Sequence, residues 1–139
     1  MAESGRSSWV RAVVLFGVAY ALIGIGFALP TSHARAWRLA AWVVSAIGYA
    51  AHIAYERFRL RHPPGSAALH VAYAAALGAF GLAVAANIHS LSIESSPQHQ
   101  QRLLLSLAIW PVITGVPAFL VARGISAVLA RALRSPQSG

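Results

Sequence analysis

Four long apolar runs, each free of arginine and glutamate, constrain the fold of this chain more than any other feature. The runs cover residues 12–29, 39–55, 67–88 and 103–122. A helix rises 1.5 Å per residue, so about 20 residues cross a hydrocarbon core of about 30 Å. Backbone groups in lipid must pair within their own segment, and continuous apolar runs lack the alternation of barrel strands. The sequence therefore predicts an all-α integral membrane protein, an antiparallel bundle of four transmembrane helices forming one domain over 1–139.

The connections between the apolar runs are short, which makes sequential helices antiparallel neighbours. They comprise residues 31–38, 56–66 and 90–102. The second connection holds His62-Pro63-Pro64-Gly65, a turn signal. The C-terminal tail, 124–139, is expected to extend the fourth helix along the membrane interface and to end in a disordered segment, 135–139.

The placement of arginine predicts the orientation in the membrane. All eleven basic residues are arginine. Eight of them fall on the side of the two termini and the second connection, at positions 6, 11, 57, 59, 61, 123, 131 and 134. The other side holds Arg35, Arg38 and Arg102, so the positive-inside rule places both termini in the cytoplasm. Trp9, Trp37 and Trp42 lie near span ends, as interfacial anchors do.

Composition excludes several classes of protein. Only 10% of the residues are charged, whereas soluble domains carry about 25%. The net charge of +8 is best matched by anionic lipid headgroups, and nucleic acid is not an expected partner. The chain has no cysteine, which excludes disulfides, thiolate metal sites and thiol nucleophiles. Abundant alanine and the absence of lysine suit a GC-rich genome and favour a bacterial inner membrane.

A second interpretation of the N-terminus stays open. Arg6 and Arg11, the apolar run and the small-x-small sequence Ser32-His33-Ala34 are also compatible with a cleaved signal peptide. The run is longer than a usual signal-peptide core, and Arg35 follows the site directly. Cleavage would leave three spans and place one terminus outside.

Small residues recur at helical spacing in every span. The glycines among them are Gly17, Gly24, Gly48, Gly78, Gly81 and Gly115. Lipid provides no hydrophobic drive between helices, so close backbone approach through small residues supplies the packing. These faces predict a compact bundle, or alternatively a stripe that contacts a partner subunit or a second copy of the chain.

His52, Glu56 and His70 form a candidate polar cluster near the cytoplasmic end. His52 and Glu56 are four residues apart on one helix, and counting outward from the two prolines places His70 level with Glu56. Ionisable groups at membrane depth are functional candidates. The cluster could simply close the hairpin, act as a proton relay or ion site, or bind metal or haem. The offset of His52 from His70 argues against paired haem ligation within one subunit, and no metal site or other cofactor is predicted.

The remaining candidates are more general. Pro111 and Pro117 predict a bend in the fourth span. Asn87 is expected to cap a helix or to bond between helices. His33, His89 and His99 fall on the opposite side from the cluster, where lone histidines rarely form a metal site.

The function expected from the sequence is that of a non-catalytic membrane module. No nucleophile–base set, phosphate-binding loop or dinucleotide fingerprint is present, so no catalytic residue is assigned. The leading hypothesis is an accessory subunit or scaffold of a membrane complex. The alternatives are a minimal oligomeric transporter or channel that uses the His/Glu cluster, and a membrane redox or haem-binding protein.

Overall fold

The computed structural model describes residues 2–28, 34–91 and 96–132. Over these ranges the chain forms four α-helices with a short π-helix after the second. The helices are α1 (Ala2–Ala28), α2 (Ala34–Ala54), α3 (Pro64–Leu91) and α4 (Pro97–Ala132), and the π-helix is Tyr55–Arg59. The predicted all-α class is therefore confirmed for the described residues.

Three helices are long and apolar enough to cross a membrane. These segments are Ser8–Phe27, Pro64–Ser90 and Pro97–Ala132. Helix α2 is not among them, although it has 21 residues. It carries Arg35 and Arg38 in its first turns and His52 in its last, which lowers its mean hydropathy. Its crossing of the membrane stays a prediction.

The helices extend beyond the apolar runs. Helix α1 begins at Ala2 rather than near residue 12, and α4 continues without interruption to Ala132. Once a helix is nucleated, each further residue that is fixed adds one hydrogen bond without a new nucleation penalty, so polar flanks can join it. At 1.5 Å per residue the 36 residues of α4 measure about 54 Å, more than the thickness of the hydrocarbon core. The segment expected to be disordered, 135–139, lies outside the described residues.

Helix α3 is the central element of the bundle. It packs along both α1 and α4, whereas α2 packs mainly on α1 and touches α3 only briefly. The buried apolar core consists of Ile53, Ala68, Val71 and Ala122, with Tyr49, Phe119 and Leu129 packed against it. This core lies near the end of the bundle where α2 leads into α3.

The predicted small-residue packing is clearest between α1 and α3. A methyl group at Gly78 would lie 2.6 Å from the Cβ of Tyr20 and 3.2 Å from the carbonyl oxygen of Gly17. A methyl group at Gly17 would lie 2.6 Å from Leu77. Only glycine permits this approach of the two backbones.

The other predicted packing glycines differ in tightness. A methyl group would lie 2.7 Å from Leu82 at Gly24, 2.9 Å from Ala21 at Gly81, and 3.2 Å from Ala76 at Gly115. At Gly48 the nearest atom, in Tyr20, would be 3.4 Å away, an ordinary contact. The α1–α3 interface therefore needs glycine, the α3–α4 interface is close at Gly115, and the α1–α2 interface is looser.

The predicted bend at Pro111 and Pro117 leaves α4 unbroken. Both prolines lie inside the single helix Pro97–Ala132. Each proline removes one backbone donor, but a membrane helix tolerates this loss.

We expect Gly78→Ala to destabilise the protein by about 1–3 kcal/mol, the usual range for overpacking, because the new methyl group would push α1 away from α3. Gly26→Ala is the matched control, since nothing lies within 4 Å of a methyl group there. Unfolding in detergent with added denaturing surfactant, followed by tryptophan fluorescence, measures the difference. Equal stability of the two variants would contradict the tight α1–α3 contact.

Candidate functional site

The turn between α2 and α3 is built from unusual backbone. In the π-helix the amide of Leu60 donates to the carbonyl of Tyr55 at 3.1 Å, a five-residue step. Arg61 follows with φ of 55°, the left-handed region that non-glycine residues rarely adopt. Pro64 begins α3, a position where its fixed φ suits a helix start. These features fold the chain back so that His62 returns to Glu56.

Four side chains meet at this turn, and we call them the Glu56 cluster: His52, Glu56, His62 and His70. The Nδ1 of His62 lies 2.6 Å from Glu56 Oε2, and the Nδ1 of His70 lies 2.9 Å from the same oxygen. The Nε2 of His52 lies 3.8 Å from Glu56 Oε1, too far for a hydrogen bond. The structure thus brings together the three residues singled out from the sequence and adds His62.

The cluster is buried on one side and accessible on the other. His52 and Glu56 are fully buried, while the side chain of His70 is 13% exposed and that of His62 is 25% exposed. Glu56 Oε1 and both ring nitrogens of His52 have no hydrogen-bond partner. Buried polar atoms are rarely left unpaired, so the inner half of the cluster has coordination capacity that the chain does not use.

Aromatic side chains of α1 fix the orientation of two imidazoles. Phe16 stacks on His52 with ring centroids 3.9 Å apart, and Trp9 stacks on His70 with centroids 4.6 Å apart. Both ring pairs are within 5° of parallel. The guanidinium of Arg57 also donates to the backbone carbonyl of His62 at 2.6 Å. These neighbours hold the rings of His52 and His70 and the backbone of His62 in place around Glu56.

Electrostatics keep the Glu56 carboxyl ionised. Burial by itself would raise its pKa, but the imidazoles of His52, His62 and His70 outweigh burial and lower the pKa from 4.5 to about 2. Stabilisation of the carboxylate by surrounding donors has this effect in proteins generally. At neutral pH the cluster thus contains one buried negative charge surrounded by imidazole nitrogens.

The donor atoms of the cluster suit some ligands better than others. Glu56, His62 and His70 each offer one atom, and these atoms lie within 4.8 Å of one another. A haem held by His52 and His70 would need the two imidazoles to face each other across the macrocycle. Instead their nitrogens face the Glu56 carboxylate, so the contact geometry does not favour the haem hypothesis.

The other polar residues chosen from the sequence lie apart from the cluster. Asn87 donates to the carbonyls of Ala83 and Leu103 at 2.7 and 2.9 Å, and so bonds α3 to α4. His89 and His99 are exposed, and within the described ranges no set of three potential ligands includes either of them. His33 lies outside the described residues.

A second feature is an open cavity of about 660 Å³ between α2 and α4, which we call the α2/α4 cleft. Its walls come from all four helices and include Tyr20, Gly24, Trp42, Ala46, Ala79, Ala83, Ser106 and Trp110. In the wall of the cleft, the hydroxyl of Tyr49 donates to the carbonyl of Ala118 and ties α2 to α4. The hydroxyl of Tyr20 is buried without a partner.

Reasoning from the sequence missed His62 and the α2/α4 cleft. His62 stands directly before two prolines, a pattern that predicts only a turn, although a histidine in the turn beside Glu56 is a usable signal. The cleft has no comparable signal, because it depends on how far α2 stands from α4.

Comparisons with protein-family models, with curated proteins and with solved structures give no match for this chain. No relative therefore assigns a role to the Glu56 cluster or to the α2/α4 cleft. Their function has to be inferred from their own chemistry.

We expect Glu56→Gln to lower stability by about 1–3 kcal/mol, the range for leaving buried polar groups without partners. The amide retains the shape but removes the charge and one acceptor oxygen that faces His62 and His70. Arg59→Gln, at an exposed position in the same turn, is the control and should change stability little. Thermal unfolding in detergent followed by circular dichroism measures both, and an equal effect of the two changes would contradict a structural role for the carboxylate.

Proposed function

We propose that this protein is a non-catalytic membrane module, an accessory subunit or scaffold that crosses a bacterial inner membrane four times with both termini in the cytoplasm. Its role is to pack, through the α2/α4 cleft, against a transmembrane helix of another membrane protein. The cleft is the observation that carries the proposal. No catalytic residue is assigned.

The distribution of charge along the bundle supports this orientation. Trp9 near the start of α1 stacks on His70 near the start of α3, and Arg123 of α4 lies close to Gly65. One end of the bundle therefore gathers the described arginines at positions 11, 57, 59, 61, 123 and 131, and the other end holds those at 35, 38 and 102. The richer end is expected in the cytoplasm.

The packing of α2 on α1 supports a fourth crossing. Trp37 at the start of α2 contacts Phe27 at the end of α1, with ring centroids 5.7 Å apart. His52 at the end of α2 stacks on Phe16. The fifteen-residue step from Trp37 to His52 corresponds to about 22 Å of helix. Helix α2 thus runs alongside a membrane-competent helix for most of the hydrocarbon thickness.

The lining of the α2/α4 cleft supports a helix as its occupant. Small residues such as Gly78, Ala79 and Ala83 of α3 form part of its wall, while Trp42 and Trp110 are 76% and 55% exposed. A wall of small residues lets a second helix approach closely in lipid.

The packing beside the Glu56 cluster favours a module over the alternative of a transporter. The core residues Ile53, Ala68, Val71 and Ala122 are buried and apolar, and they flank the cluster. Tyr49 packs against this core and bonds across to α4. A transport route from the cluster would have to pass through this packed layer.

Single cysteines test the topology, because the chain has none of its own. We expect Arg35→Cys and Gln98→Cys in intact cells to react with a membrane-impermeant maleimide, and Arg59→Cys to react only after permeabilisation. All three positions are exposed, so accessibility within the fold is matched. Labelling of Arg35→Cys and Arg59→Cys from the same side would show that α2 does not cross.

A photo-crosslinking residue tests the cleft. We expect p-benzoylphenylalanine at Ala46, which lines the cleft, to give one discrete protein adduct in cells. The same residue at Ala51, which is also exposed on α2 but outside the cleft lining, should not give that adduct. An adduct of twice 14.6 kDa would identify a second copy as the partner. Adducts with lipid alone, or equal protein adducts from both positions, would contradict a partner helix in the cleft.

A further inference from the structure

We propose that the Glu56 cluster binds one divalent first-row transition metal ion through Glu56 Oε2, His62 Nδ1 and His70 Nδ1. This site is independent of the α2/α4 cleft and of the partner proposed there.

The spacing of the donor atoms is close to that of one coordination sphere. Bonds of about 2.0–2.2 Å from an ion to nitrogen and oxygen place its ligands about 3–4.4 Å from one another. The three donor atoms lie within 4.8 Å of one another, and the shortest distances are 2.6 and 2.9 Å. An ion that displaced the two hydrogen-bonded protons would require each nitrogen to move only a few tenths of an ångström from the carboxylate.

The chemistry of the donors selects the class of ion. Two imidazoles and one carboxylate suit ions such as Zn²⁺, Ni²⁺ or Fe²⁺, whereas Ca²⁺ and Mg²⁺ prefer oxygen ligands. The absence of cysteine removes the thiolates that favour Cu⁺. Glu56 supplies the negative charge that a dication needs among the arginines of this turn.

The surroundings of the cluster support ligand binding in two ways. The Trp9–His70 stacking orients one imidazole ligand, and the Arg57 bond to the His62 carbonyl holds the backbone that carries the other. Neighbours that fix the ligands usually strengthen a metal site. Glu56 Oε1 and the ring nitrogens of His52 are buried and without hydrogen-bond partners. His52 Nε2 lies 3.8 Å from Oε1, so a third imidazole flanks the site on its inner side.

The site is also accessible. His62 is the most exposed member of the cluster and lies at the turn rather than within a span. An ion can therefore enter from the aqueous side without crossing the buried core beneath. Three protein ligands leave a coordination position for water or a further ligand.

Titration of the detergent-purified, chelator-treated full chain with Zn²⁺, followed by calorimetry, tests the proposal. We expect binding of one ion per chain. His62→Ala and Glu56→Gln should each weaken it by on the order of 100-fold or more, since even loss of a supporting residue costs 10–100-fold. Co²⁺ binding followed by visible absorption should give a ligand-field band that disappears in the same variants.

His89→Ala and His99→Ala are the matched controls, because both histidines are exposed at the opposite end of the bundle. Each should bind Zn²⁺ as tightly as the unchanged chain. Circular dichroism and gel filtration verify folding, and His62→Ala keeps the test valid if Glu56→Gln fails to fold. Equal affinity in the unchanged chain and in a folded His62→Ala variant, or loss of binding in the controls instead, would overturn the site. Both outcomes are independent of whether a protein crosslinks at Ala46, so failure of the metal site and failure of the proposed partner can be distinguished.

Discussion

The close approach of α1 and α3 is the interaction on which the rest of this bundle depends. Lipid tails are as apolar as the side chains, so helices gain little from burying apolar surface against each other and rely on contact and shape. Gly17 and Gly78 allow the two backbones to meet. That contact sets the register of α1 on α3, and the register in turn places Trp9 over His70 and Phe16 over His52.

The two ends of the bundle have different chemistry. At one end a buried carboxylate accepts from two imidazoles, and Tyr49 ties α2 to α4 beside an apolar core. Beyond Tyr49 the helices α2 and α4 separate and leave the α2/α4 cleft. Hydrogen bonds and ring stacking hold the side chains around Glu56 in place. The cleft is open because few contacts join α2 to its neighbours other than α1.

Part of the Glu56 cluster followed from helical spacing. Glu56 lies one helical turn after His52, and symmetric counting from the two prolines placed His70 level with the carboxylate; the structure puts all three in contact. Helical spacing could not place His62 in the cluster, because its position depends on the π-helix and on the left-handed backbone of Arg61. A single extra residue per turn redirects the chain there, and residue spacing does not encode such a local change.

The sequence by itself determined that the chain is helical and rich in membrane-competent segments. Long, continuous apolar runs in lipid satisfy their backbone hydrogen bonds within the segment by forming α-helices. It also determined which positions permit close packing, since only glycine lacks a Cβ. The tertiary structure decided which of those faces meet, that α2 stands away from α4, and that His62 joins His52 and His70 around Glu56. These outcomes depend on distances between segments far apart in the chain, which no local pattern of residues specifies.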